Sequence, residues 1–198
     1  MSAHGVKMAF RPACLTVSII VLWYGGAHAV QQVKSLYTAI DLAACRTVAG
    51  ARHKPARLCE GLPGYPVYVA EGKRGVYLSV GPNAAERRAA QQTLKAFNTL
   101  SDKSGNRSTV EWRFVVRNEK PVPYATIVRY FTQGTGGAGE VLVVARVTER
   151  ETCHIAYVDA LATPDAIVLA RKIADTKARS GTCPAEPSVQ GLTGRSPM

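Results

Sequence analysis

Residues 110–158 contain four consecutive segments with the composition of β-strands, and they constrain the fold more than any other part of the chain. In the first, 110–117 (VEWRFVVR), apolar residues alternate with charged ones, which predicts a strand with one buried face. The segments 124–131, 140–148 and 152–158 are β-branched and aromatic, and short turns join them. Four such strands in chain order predict an antiparallel meander.

The segment after the last strand has the signals of a helix. Thr163 would cap it, Pro164 suits the first helical position, and Asp165 complements the positive end. Apolar residues recur at helical spacing within 166–174, and Gly181 would end the helix. Packing this apolar stripe on one face of the sheet gives an α+β fold.

A second, short helix is predicted upstream. The segments 65–70 and 76–80 have strand composition and are joined by a turn. Asn83 would then cap a helix over 84–94, with Glu86 three residues further on.

The first 29 residues have the organisation of a secretory signal peptide. Residues 1–11 carry two positive charges and no acid, 13–24 is uncharged and mostly apolar, and an A-x-A pattern ends at Ala29. Cleavage there would start the mature chain at Val30. A retained membrane anchor is the alternative, but the apolar core is shorter than the roughly 17–25 residues that a membrane span needs.

Removing 29 of the 198 residues leaves 169, which suits a single domain. We expect one α+β domain over 30–183. Residues 184–198 are rich in proline, serine and glycine and are predicted to form a disordered tail.

Four cysteines remain after signal removal, because Cys14 leaves with the signal peptide. An even number in an exported protein predicts disulfides, and four cysteines permit three pairings. The most local pairing is favoured, which joins Cys45 to Cys59 and Cys153 to Cys183.

No motif predicts a metal, a cofactor or a catalytic centre. Zinc is disfavoured because no cysteine pair has C-x-x-C spacing and the mature chain keeps only His53 and His154. The glycines of 134–139 match G-x-G-x-x-G, with Asp159 further on, but they precede a strand and not a helix, so a hairpin turn is predicted. Cys153 and His154 are adjacent on a strand and would point to opposite faces. No G-x-S-x-G, H-E-x-x-H or S-x-x-K occurs.

The charge is strongly basic. Loss of the two signal-peptide cations lowers the formal net charge from +11 to +9. A basic protein outside the cytoplasm meets anionic envelope components before nucleic acid, and the basic residues form no long run typical of a nucleic-acid site. The partner is left open, with anionic envelope components as the candidates and a solvated cationic surface as the simpler explanation.

Several stretches are shared with a known group of sequences. They are YPVYVAEG at 65–72, EWR at 111–113, ATIVRYF at 125–131, VLVV at 141–144 and CHIAYVDA at 153–160, with shorter ones at 37–45, 59–61, 92–98 and 169–175. In these stretches the chain resembles a family of uncharacterised exported proteins of alphaproteobacteria, including hypothetical proteins of rhizobia. The resemblance covers most of 36–183 and implies a periplasmic setting with disulfides, but it carries no activity or functional residue.

Export, disulfides, basic charge and the lack of a catalytic motif favour a non-enzymatic periplasmic domain that binds a partner, a ligand or the envelope surface. An envelope hydrolase is the alternative, and it requires close acids in a pocket or an acid near His154. A chaperone-like stress protein is a third hypothesis.

We predict that the intact mass of the protein from an envelope fraction begins at Val30 and that its cysteines resist alkylation until they are reduced. A full-length mass with reactive thiols would contradict both export and the disulfides.

Overall fold

The computed structural model describes residues 33–198, together with residues 1, 2 and 5. The predicted signal peptide and its cleavage site lie outside these residues. The described chain contains one α-helix, α1 Ala166–Ile173, and the strands β1 Lys34–Ala39, β2 Arg46–Thr47, β3 Ala56–Leu62, β4 Tyr65–Gly72, β5 Gly75–Val80, β6 Phe97–Thr99, β7 Thr109–Arg117, β8 Lys120–Gly134, β9 Gly137–Val147, β10 Thr152–Asp159 and β11 Ser188–Gln190.

The long strand β8 organises the sheet. One of its sides pairs with β9, and its other side pairs first with β7 and then, near its end, with β6. Strands β7 to β10 pair antiparallel in chain order, with β1 beside β7 and β11 parallel to β10. Through β6 the sheet continues into β5, β4, β3 and β2.

The central strands are buried on both faces. On the inner face, Val128 and Tyr130 of β8 pack in one core with Val67 and Val69 of β4. On the outer face, Ile127 of β8 belongs to a second core that includes three buried residues of α1, namely Ala166, Ala170 and Ile173. The fold is therefore α+β, with a helix on one side of the central strands and β4 and β5 on the other.

The C-terminal helix forms, but its start differs from the prediction. It begins after Asp165, whose backbone is left-handed (φ 50°) and which makes no side-chain cap. The Thr163 hydroxyl donates instead to the Leu192 carbonyl. The helix continues as a π-helical turn, Ala174–Ala178. No helix among the described residues is long and apolar enough to cross a membrane.

The prediction of a second helix over 84–94 is wrong. The segment forms two short 3₁₀ turns, Ala84–Glu86 and Arg88–Gln91, and Asn83 makes no side-chain cap. Ala84 and Ala90 pack with Tyr68 in a small core beside β4. Tertiary packing of these alanines thus overrides their high helix propensity.

The expectation that β7 buries only one face is also wrong. Glu111 is 4% exposed, because α1 and β1 cover the face that carries it. A β-bulge between Arg113 and Phe114 then shifts the alternation. As a result Val115 joins the helix-side core, while Val116 is exposed.

Residues 184–198 are ordered, contrary to the prediction of a disordered tail. Strand β11 pairs with β10, and the amides of Arg195 and Ser196 donate to the Asp159 carboxylate over 2.9 and 2.8 Å. The tail lies so close to the glycine-rich hairpin that a side chain at Gly139 would come within 2.6 Å of the Ser196 Cα. Composition alone does not reveal this backbone docking.

Both predicted disulfides are present, in the favoured pairing. Cys45–Cys59 ties the start of β2 to β3. Cys153–Cys183 ties β10 to the segment that follows the helix, across a sequence separation of 30 residues.

Replacing Cys153 and Cys183 together by serine should lower the free energy of unfolding by about 3–4 kcal/mol, because the unfolded chain regains the entropy of a loop of this length. Urea unfolding of the oxidised protein measures the loss. The matched Cys45→Ser/Cys59→Ser variant opens a loop of 14 residues and should lose less. An unchanged unfolding midpoint in the first variant would contradict the stabilising role of the bridge.

Candidate functional site

Three arginines from separate parts of the chain line one pocket of about 220 Å³ on the helix side of the sheet. Arg107 lies in the loop before β7, Arg129 on β8 and Arg171 on α1. Guanidinium groups bind carboxylates and phosphates through paired N–H donors, so three of them around one pocket make an anion the fitting ligand.

Local structure explains how the pocket forms. Ile127, Arg129 and Phe131 alternate along β8, so their side chains share the outer face of the strand. Ile167 and Arg171 are four residues apart on α1 and therefore face the same side of the helix. The result is an apolar floor with charged groups at its rim.

Each of the three arginines has one carboxylate partner. Arg107 contacts Asp41 over 2.7 Å, and this pair is the most exposed, with side chains 61% and 51% accessible. Arg129 pairs with Glu140, and both side chains are about one-third or more accessible. Pairs this exposed contribute about 0–1 kcal/mol, so an incoming anion can compete for these two guanidiniums at little cost.

Arg171 is held more firmly. Its Nε donates to Glu111 Oε1 over 2.8 Å and its Nη2 donates to Glu111 Oε2 and to the Tyr37 hydroxyl. Hydrogen bonding to Glu111 is the main reason that the pKa of Arg171 is raised. The buried Glu111 carboxylate therefore positions Arg171 and balances its charge, and Glu111 itself also lines the pocket.

A second ion pair fixes the helix beside the pocket. Arg113 donates through Nε and Nη2 to both oxygens of Asp175, over 2.9 and 2.6 Å, and the Tyr124 hydroxyl donates to the same carboxylate. Arg171 and Asp175 are one helical turn apart, and their partners Glu111 and Arg113 are two residues apart on β7. These spacings match, so the helix is aligned along the strand.

The sequence carries two signals for charged groups at this site. Arg129 is the lone charge within the apolar strand segment 124–131, and Glu111 and Arg113 occupy alternate positions that were expected to face solvent. A charge inside an apolar strand predicts an oppositely charged partner, and for Arg129 that partner is Glu140 on the next strand. The two other arginines of the pocket, Arg107 and Arg171, lie much further from Arg129 in the sequence, which is why the pocket itself was not predicted.

His154 is a structural residue in this arrangement. It is 1% exposed, its Nδ1 lies 3.0 Å from the Tyr157 hydroxyl, and its backbone amide donates to the Gln92 side chain. Burial lowers the pKa of His154 to about 4. The neighbouring Cys153 is in a disulfide, so the two do not form a thiolate–imidazole pair.

Asp159 also has a structural role. It is fully buried and accepts hydrogen bonds from Leu161 and Ala162 as well as from the tail. Burial raises the pKa of Asp159, but the hydrogen bonds from Ser196, Arg195 and Ala162 outweigh this effect and hold the pKa below its usual range. The glycines of 134–139 form the β8–β9 hairpin, as predicted. Within 33–198 no cluster of three or more potential metal ligands is found.

Most of the strand tyrosines are core residues. Tyr68, Tyr77, Tyr124 and Tyr130 are buried, whereas Tyr65 and Tyr157 are half-buried.

No protein family, no curated protein and no solved structure matches this chain. The case for a function therefore comes from the geometry of the pocket.

His154 should make the protein less stable in acid. Its pKa is lower in the folded state, so between pH 6.5 and about 4 the unfolded chain binds more protons and stability falls as the pH falls. The loss attributable to His154 is about 3 kcal/mol between pH 7 and pH 4. Urea unfolding of wild type and His154→Gln across this range measures it. Parallel pH profiles for the two proteins would show the prediction to be wrong.

Proposed function

We propose that the mature chain is an exported, periplasmic binding domain whose ligand presents an anionic group to Arg107, Arg129 and Arg171. The observation that carries the proposal is the convergence of three guanidiniums on one pocket with an apolar floor. Anionic envelope components, the partners expected from the basic charge, would then bind at this pocket and not over the basic surface as a whole.

The exposure of two of the ion pairs would allow a ligand anion to replace the carboxylates that Arg107 and Arg129 contact in the free protein. The carboxylates of Asp41 and Glu140 hold two of the arginines near the pocket in the free protein, but both pairs are accessible to solvent. Arg171 keeps its carboxylate partner and offers a fixed cation. A phosphate or carboxylate with two or three acceptor oxygens would bridge the three groups in a way that the separate side chains do not.

A hydrolytic activity has less support. The hydrogen-bond partners described for His154 are Gln92, Tyr157 and the Leu78 backbone, and none of them is an acid. The buried carboxylate of Glu111 and the half-buried carboxylate of Asp175 are engaged by arginines and hydroxyls. A carboxylate acting as a general base needs a free oxygen directed at the substrate, and these are committed to structure.

The test is titration with inorganic phosphate, followed through backbone amide shifts by NMR. We expect binding in about the millimolar range that shifts the amides around the pocket and weakens as ionic strength rises. Arg107→Gln should weaken phosphate binding at least tenfold, because a charge-assisted hydrogen bond is lost. Arg107 is exposed, so this variant should fold.

The matched control is Arg150→Gln. Arg150 lies on the exposed turn between β9 and β10, and its replacement changes the net charge equally. If both variants weaken binding to the same extent, then the overall charge and not the pocket attracts the anion, and the proposal fails.

A further inference from the structure

A groove lies directly beside the arginine pocket. It has a volume of about 590 Å³, and its apolar lining includes Phe97, Phe131, Ala138 and Leu161. This volume is within the range of sites that hold small molecules. Most of its lining is carbon, so it suits a hydrocarbon portion of a ligand.

The groove and the pocket are continuous along β8. Phe131 lines both of them, and alternate residues of the strand, Ile127, Arg129, Phe131 and Gln133, lead from one to the other on the same face. Arg129 and Gln133 are four residues apart, which is about 13 Å along a strand. One extended ligand can therefore reach both.

Two further links join the sites. The Arg129–Glu140 pair lies at their boundary, with Arg129 in the pocket and Glu140 in the groove. The loop 101–107 forms one wall of the groove and also carries Arg107. Its shape is fixed by Asp102, whose carboxylate accepts hydrogen bonds from the amides of Ser104 and Asn106 over 2.8 Å.

We infer that the ligand is a single-chain anionic amphiphile, with its head group among Arg107, Arg129 and Arg171 and its alkyl chain in the groove beside Phe97 and Phe131. This inference rests on the proposed anion site and adds the apolar part of the ligand. Charge complementarity at one end and a carbon-lined channel at the other select this class over a free anion or a neutral hydrocarbon.

Three probes separate the two parts of the ligand, namely inorganic phosphate, dodecyl phosphate and dodecanol. Each is titrated into the oxidised mature protein by calorimetry, with the amphiphiles kept below the concentration at which they aggregate. Dodecyl phosphate should bind at least a hundredfold more tightly than phosphate, since burial of about four methylene groups suffices for that factor. Dodecanol should bind at least tenfold more weakly than dodecyl phosphate.

Two variants test whether the alkyl chain of the ligand lies in the groove. Ala138→Phe adds a ring in the groove and should weaken dodecyl phosphate at least tenfold while leaving phosphate unchanged. Val189→Phe is the matched control, because Val189 is an exposed apolar residue on β11 that does not line the groove. Arg107→Gln should weaken both anions.

The outcomes distinguish the two proposals. Suppose that phosphate binds and that Arg107→Gln weakens its binding, but dodecyl phosphate binds no more tightly than phosphate or binds Ala138→Phe as tightly as wild type. The anion site is then supported, and the inference that the ligand is an amphiphile is wrong. If dodecanol binds as tightly as dodecyl phosphate and Arg107→Gln has no effect on either anion, the anion site fails, and the inference that rests on it fails as well.

Discussion

Strands β8 and β9 are buried on both faces, and the remainder of the domain is arranged to cover them. The inner face is covered by β4 and β5, and the outer face by the helix and the segments at its ends. Strands buried on both sides need apolar residues at almost every position, and 124–131 and 140–148 supply them. The exceptions, such as Arg129, occur where the helix no longer covers the outer face, and there the pocket and the groove open.

The polar groups under the helix serve alignment more than stability. The two ion pairs between β7 and the helix are partly buried, with Glu111 and Arg113 nearly covered and Asp175 and Arg171 about one-third accessible. Breaking either pair leaves a covered charge on β7 without its partner, which is costly. The two pairs between β7 and the helix therefore disfavour any shifted position of the helix on the sheet. The same contacts hold Arg171 at the pocket, so the alignment of the helix and the shape of the candidate site depend on the same side chains.

Features that are determined by neighbouring residues in the sequence were predicted correctly. The apolar stripe of the helix, the strand segments and the two local disulfides follow from periodicity, composition and cysteine spacing. The 3₁₀ turns at 84–91 do not, because packing of small alanines against β4 decides their form. The ordered tail was missed because its binding depends on glycine backbone and on Asp159, and the pocket was missed because Arg107, Arg129 and Arg171 meet only in the folded chain.

The position of Trp112 has a consequence for the fluorescence of the protein. Its side chain is fully buried in the inner core, and its indole Nε1 donates to the Thr38 hydroxyl on β1 over 2.9 Å. The chain's other tryptophan, Trp23, lies within the predicted signal peptide. The processed protein would thus contain a single indole fluorophore at the junction of β1 and β7, so that its emission spectrum would report the docking of the first strand without any added label.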